Sequence, residues 1–271
     1  MKIFRGRTLA DHIPGPLYFE QLGASGPVML FLHSTPDDHR LWLYQTAYFS
    51  AWYRCIAVDL AGYGKSPPVQ KGVRVADQAD AAWEIVDRIT SGKLIIQGNS
   101  MGSMVARHMA ARRPERTLAL ILSGCGYQPT REQMGGWKER YEKEGIKVRY
   151  EQILDHFGVE GQKTVFAQHY ARMLCALTNE GTLPSIIAMN EALTHVHPAE
   201  LGIGIASPCL IISGTADRNH AKSYELRDHI AGAEIAVVEG AGHSSCLQGP
   251  WEFNRHCVEF LDRLGLFPGN S

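Results

Sequence analysis

QGNSMGS, residues 97–103, decides how this chain reads. It follows the apolar run Leu94-Ile95-Ile96 and leads into SMVARHMAARRP (103–114), so a strand passes through a tight turn into a helix. Ser100 has glycine two places to either side, at Gly98 and Gly102. Glycine permits turns that other residues resist and lets another backbone come close. A serine at the apex of such a strand-turn-helix is held up at the C-terminal edge of a sheet, as a nucleophile must be. The backbone N–H of Met101 then faces a developing oxyanion.

The surrounding chain supplies the sheet that this turn requires. VMLFLH (28–33), CIAVDL (55–60), KLIIQG (93–98), LALILSG (118–124), PCLIISG (208–214) and EIAVVEG (234–240) are nearly continuous apolar runs. Parallel strands covered on both faces have this pattern. Between and after them lie the helical patterns 75–89, 103–114, 220–231 and 251–265; in the last, Trp251, Phe253, Cys257, Phe260 and Leu264 recur at helical spacing and are expected to pack on the sheet. The alternation predicts an α/β fold with a mostly parallel twisted sheet flanked by helices. Residues 127–205 break the rhythm, with helix formers and large apolar groups such as Trp137, Tyr141, Phe157 and Tyr170 but no parallel-strand run. The expected organisation is a core of 1–126 and 206–271 with a helical cap, 127–205.

A serine hydroxyl needs a base, and the base needs a group to orient it. The run CLIISG ends in Thr215-Ala216-Asp217, and IAVVEG ends in Ala241-Gly242-His243. Ser100, Asp217 and His243 therefore stand in the chain order expected of a strand-end triad. Each residue also has a plainer reading. Asp217 could cap the helix that starts near His220, and His243 is one of twelve histidines. Position at successive strand ends favours the triad, and the residues after LILSG, CGYQPT, offer no rival carboxylate.

On these residues the chain resembles the α/β-hydrolase-fold superfamily, in its capped group of esterases, meta-cleavage-product hydrolases and cofactor-free haloperoxidases. Asp59-Leu60-Ala61-Gly62-Tyr63-Gly64-Lys65-Ser66 is similar to that family's DxxGxGxS loop, whose role is mainly structural. His33-Ser34-Thr35-Pro36 is similar to its HG oxyanion segment, with serine where glycine is usual. The resemblance implies that Thr35 or Ser34 supplies the second oxyanion N–H, and that His33 and Trp42 lie at the substrate site. GNSMG is similar to the elbow of C–C bond hydrolases, which implies that Arg172 in the cap binds a substrate carboxylate; the plainer reading is a surface arginine. Asp37 and Asp38 are expected to be solvated loop carboxylates. Dehalogenases and epoxide hydrolases resemble the chain in plan but carry aspartate where Ser100 stands.

Hydrolysis of a small carboxylic ester through an acyl-enzyme is the leading expectation. The alternatives are C–C bond hydrolysis of a meta-cleavage-type vinylogous diketone, a cofactor-free haloperoxidase or perhydrolase, and a non-catalytic ligand receptor of the same fold. No metal or organic cofactor is expected. Lys+Arg (27) nearly balance Asp+Glu (28), which argues against nucleic-acid and membrane partners and leaves a small-molecule substrate, with a homodimer open. Six scattered cysteines without a CxxC pair read as reduced thiols. With no signal-peptide pattern at the start and no membrane-length apolar run, the expected location is the cytoplasm.

Overall fold

The computed structural model describes residues 12–126, 131–179, 181–195 and 205–270. In chain order the elements are β1 (Phe19–Leu22), β2 (Val28–Leu32), α1 (Leu43–Phe49), β3 (Arg54–Val58), α2 (Val75–Ile89), β4 (Leu94–Asn99), α3 (Met101–Arg112), β5 (Thr117–Ser123), α4 (Arg131–Glu144), α5 (Val148–Asp155), α6 (Gly158–Gly161), α7 (Val165–Cys175), α8 (Thr182–Thr194), β6 (Cys209–Gly214), α9 (His220–His229), β7 (Glu234–Val238), α10 (Ser245–Gln248) and α11 (Pro250–Arg263). The strands form one sheet ordered β1-β3-β2-β4-β5-β6-β7. Only β1 runs antiparallel to its neighbour. The six apolar runs are β2 to β7. β1 escapes the pattern because FEQL is four residues long, lies at the sheet edge and is at most half-buried, so it carries no apolar run.

Successive strand side chains point to opposite faces, and here both faces are covered. Leu30, Leu32, Ile56, Ile96 and Leu120 share one buried layer with Ala79 and Trp83 of α2 and Val105 and Met109 of α3. Met29, Phe31, Cys55, Ile95 and Ile121 share the other with Phe253, Cys257 and Phe260 of α11. Trp251 departs from expectation: at the start of α11 it is 76% exposed rather than packed on the sheet. Among the described residues no helix is long and apolar enough to cross a membrane.

The loop after β2 is buried, against expectation. Asp37 and Asp38 have no solvent exposure. Asp38 is gripped by Arg40, with Nη2 2.6 Å from Oδ2 and Nε 2.9 Å from Oδ1. A carboxylate taken from water is stable only with such partners. His39 ties this loop to the one after β3, its N–H and Nδ1 lying 2.8 and 2.7 Å from Asp59 Oδ1, while its Nε2 is 3.2 Å from Glu20 Oε1. Burial alone would lower the His39 pKa, but the hydrogen bond to Asp59 and the charges of Asp59, Asp38 and Glu20 reverse this and hold it above its ordinary value.

Trp42 belongs to the core and not to a substrate site. It is fully buried between Phe31 and Phe253, with ring centroids 5.5 and 6.2 Å away. Trp42→Ala is expected to lower the unfolding free energy by about 3–5 kcal/mol in urea denaturation; a stability near that of the parent would place the ring elsewhere. The raised His39 pKa also sets a sign. Its stabilisation is fully present below about pH 6.5 and is lost as pH rises through the folded-state pKa. The stability difference between parent and His39→Gln should therefore shrink with rising pH, and a pH-independent difference would mean a neutral His39.

Candidate active site

Ser100 joins β4 to α3 with φ 53° and ψ −115°, the one non-glycine residue at positive φ among those described. Such a conformation costs on the order of 1–3 kcal/mol and persists only where its surroundings enforce it. The enforcement is steric. A Cβ on Gly98 would lie 2.3 Å from the Gly102 carbonyl oxygen, and one on Gly102 would lie 2.1 Å from the Leu32 carbonyl oxygen. With both positions bare, α3 starts against the end of β2, and the Ser100 N–H is anchored to the Ser123 carbonyl on β5 at 2.9 Å.

The ends of β6 and β7 deliver the other two groups. His243 Nδ1 lies 3.1 Å from each oxygen of Asp217. Given to that carboxylate, the Nδ1 proton leaves Nε2 as the basic nitrogen. Asp217 also accepts the Asn219 N–H at 2.9 Å, so it caps the turn before α9 while facing the histidine. Burial would raise its pKa, but the His243 charge and hydrogen bond, with the Asn219 N–H and Arg218, hold it below the ordinary carboxylate value. Ser100 and His243 line one pocket of about 40 Å³, together with Thr35, Met104, Cys125 and Arg218 from the sheet side. Trp137, Gln152, His156 and Leu193 close it from the inserted helices.

At the start of α3, Ser103 and Met104 donate their N–H groups to the Ser100 carbonyl. The Met101 N–H is left without an intrahelical partner, as helix starts require. Thr35 lines the pocket, its hydroxyl 2.7 Å from that of Tyr63. Ser34 does not, because its hydroxyl is spent on Asp37. His33 is also turned away, which corrects its assignment to substrate. It is fully buried, its Nε2 accepts the Leu60 N–H at 2.8 Å, and its Nδ1 donates to the Ser34 carbonyl at 2.8 Å. Burial pushes its pKa down, consistent with that neutral tautomer. Arg172 is corrected too: it is exposed on α7 and lies beside Gln168 rather than in the pocket.

Three site residues escape the sequence reading. His156, at the C-cap of α5, stacks obliquely on His243 with ring centroids 4.9 Å apart. Gln152 lies one turn earlier on the same helix. Gln248 accepts the Gly242 N–H at 2.8 Å and donates to the Phe157 carbonyl at 2.9 Å, so it joins the histidine loop to the inserted helices. The spacing of Gln152 and His156 marks one helix face, but nothing local marks that face as the one over the serine. Among the described residues, Asp38, His39 and Asp59 bring ligand-type atoms within 4.8 Å of one another. Their oxygens already accept from Arg40, His39 and the Lys65 N–H, so the cluster is an internal hydrogen-bond network.

A family model described as alpha/beta hydrolase fold matches residues 27–193. A haloalkane dehalogenase of Mesorhizobium japonicum is 34% identical over 114 residues, which is 42% of this chain and 37% of that protein. The 2-hydroxy-6-oxononadienedioate/2-hydroxy-6-oxononatrienedioate hydrolase of Escherichia coli is 27% identical, covering 95% of this chain and 93% of that one. The crystal structure of an enol-lactonase from Burkholderia xenovorans superposes with a TM-score of 0.81 at 21% identity, over 91% of this chain and 96% of that chain.

The steric account of the turn is testable. Gly102→Ala should lower the unfolding free energy by about 1–3 kcal/mol, since β2 and α3 must separate to admit the methyl group. Unchanged stability would mean that the two backbones do not touch.

Proposed function

The chain belongs to the alpha/beta hydrolase fold family, and from that premise we propose that it is a serine hydrolase of small carboxylic esters, with Ser100 as nucleophile, His243 as base and Asp217 as its orienting acid. The observation that carries this reading is His243 Nδ1 at 3.1 Å from both Asp217 oxygens, in a pocket shared with a serine on a strained turn. Nε2 takes the Ser100 proton as the hydroxyl attacks the carbonyl carbon. The N–H groups of Met101 and Thr35 hold the oxyanion. The proton passes to the departing alkoxide, and water activated by the same nitrogen releases the acid from the acyl-enzyme. Ser34 is the weaker choice for the second N–H, since the chain turns it from the pocket. The inserted helices α4 to α8 act as the cap. They bound a narrow acyl site, which favours short chains.

The identity with the Escherichia coli hydrolase favours a second reading, C–C bond hydrolysis of a vinylogous diketone by the same triad. Turnover of p-nitrophenyl acetate and butyrate separates the two. Steady release of nitrophenol, lost by about a thousandfold or more in both Ser100→Ala and His243→Ala, is the expected result. A parent no faster than its variants would remove simple esters and move the C–C reading ahead.

A further inference from the structure

A second histidine–carboxylate pair lies against the first at the pocket wall, the His156 and His243 ring centroids 4.9 Å apart. His156 is 3% exposed, and its Nδ1 lies 3.4 Å from Asp37 Oδ2, within ion-pair range but without the alignment of a hydrogen bond. Asp37 is fully buried, and its other side-chain partners are the neutral hydroxyls of Ser34 and, at 3.3 Å, Tyr170. Gln152 precedes His156 by one helical turn and lines the same pocket. Its Oε1 accepts the Tyr141 hydroxyl at 2.7 Å, so the amide nitrogen is the donor left over.

Side chains at i and i+4 of a helix are neighbours, about 5–6 Å apart at Cβ. The part of the wall formed by α5 therefore holds one hydrogen-bond donor, the Gln152 amide, and one imidazole whose Nδ1 is turned to a carboxylate. With the Nδ1 proton directed at Asp37, Nε2 is an acceptor. A purely structural histidine would satisfy its ring nitrogens, because burying them unmatched is costly. Of the other lining side chains, Met104, Met134 and Leu193 offer no hydrogen bond, Thr35, Ser103, Arg218 and Asn219 belong to the sheet side, and the Trp137 indole N–H is a further donor.

We propose that His156 and Gln152 form a recognition subsite for a neutral group on the acyl chain that both donates and accepts hydrogen bonds, a hydroxyl or an amide. The group donates to His156 Nε2 and accepts from Gln152 Nε2. Burial lowers the His156 pKa, which keeps the ring neutral, and Asp37 behind it disfavours an anionic substituent. This inference rests on the hydrolase reading for the orientation of the acyl chain, but its test reads binding and not turnover.

The Ser100→Ala protein is titrated calorimetrically with ethyl butyrate, with each enantiomer of ethyl 3-hydroxybutyrate, and with N-acetylglycine ethyl ester. The expected result is at least about tenfold tighter binding of a hydroxyl or amide ester than of ethyl butyrate. Adding His156→Phe should bring that ratio close to one, while His156→Gln, which keeps a polar atom at the site, should retain part of it. If His156→Phe does not fold, Gln152→Leu in the same background should reduce the ratio instead. A ratio near one in the Ser100→Ala protein, or one untouched by these substitutions, overturns the proposal. Failure of the parent to hydrolyse p-nitrophenyl butyrate would count against the ester reading alone and leave the binding ratios interpretable.

Discussion

The contact on which the site depends is the approach of two backbones, the end of β2 and the first turn of α3, with no side chain between them. Gly98 and Gly102 are bare because a methyl group at either would overlap a carbonyl oxygen. That approach forces Ser100 to positive φ and lifts its hydroxyl over the sheet. The same turn leaves the Met101 N–H without a helical partner and brings the loop after β2, with Thr35, to the pocket edge. One steric constraint thus sets the candidate nucleophile and both candidate oxyanion donors.

The histidine side of the site depends on the inserted helices as well as on the sheet. The Ser244 N–H donates to the His156 carbonyl at 3.1 Å, and Gln248 links Gly242 to Phe157. A Cβ on Gly242 would lie 2.9 Å from the His156 carbonyl oxygen, so the two segments are in direct contact. His243 is therefore held by Asp217 through its ring and by the inserted helices through its flanking peptides. Arg218, next to Asp217, reaches Asp155 of α5 at 2.6 Å and makes a further link of the same kind. Movement of these helices would displace His243 as well as the walls of the pocket.

Buried polarity in the loop after β2 follows from its place beneath those helices. Asp37, Asp38 and His39 sit where the strand-end loops meet the inserted segment, out of water: Asp38 pairs with Arg40, His39 with Asp59, and Asp37 accepts from the Ser34 and Tyr170 hydroxyls beside His156. Local sequence suggested solvated carboxylates, since acidic residues in a polar loop are commonly exposed. Their burial required elements more than a hundred residues away, including Tyr170 and His156.

How far this protein is legible in its sequence follows the range of the forces involved. Apolar runs, helical spacing and glycines around a serine are local signals, and they determined the parallel sheet, most of its helices and the places where Ser100, Asp217 and His243 fall at strand ends. The short edge strand β1 carries too little apolar surface to announce itself. Side-chain direction is another matter, because it is settled by whatever packs against the chain from elsewhere. Trp42 and His33 sit at the positions that the loop resemblance marks, yet Phe253 and the Leu60 N–H draw them into the interior. Arg172 lies in the inserted helices but on their outer side, whereas Gln152 and His156 face the serine. Backbone periodicity is written within a few residues, while the walls of a pocket are written in contacts between segments, and only tertiary packing could choose them.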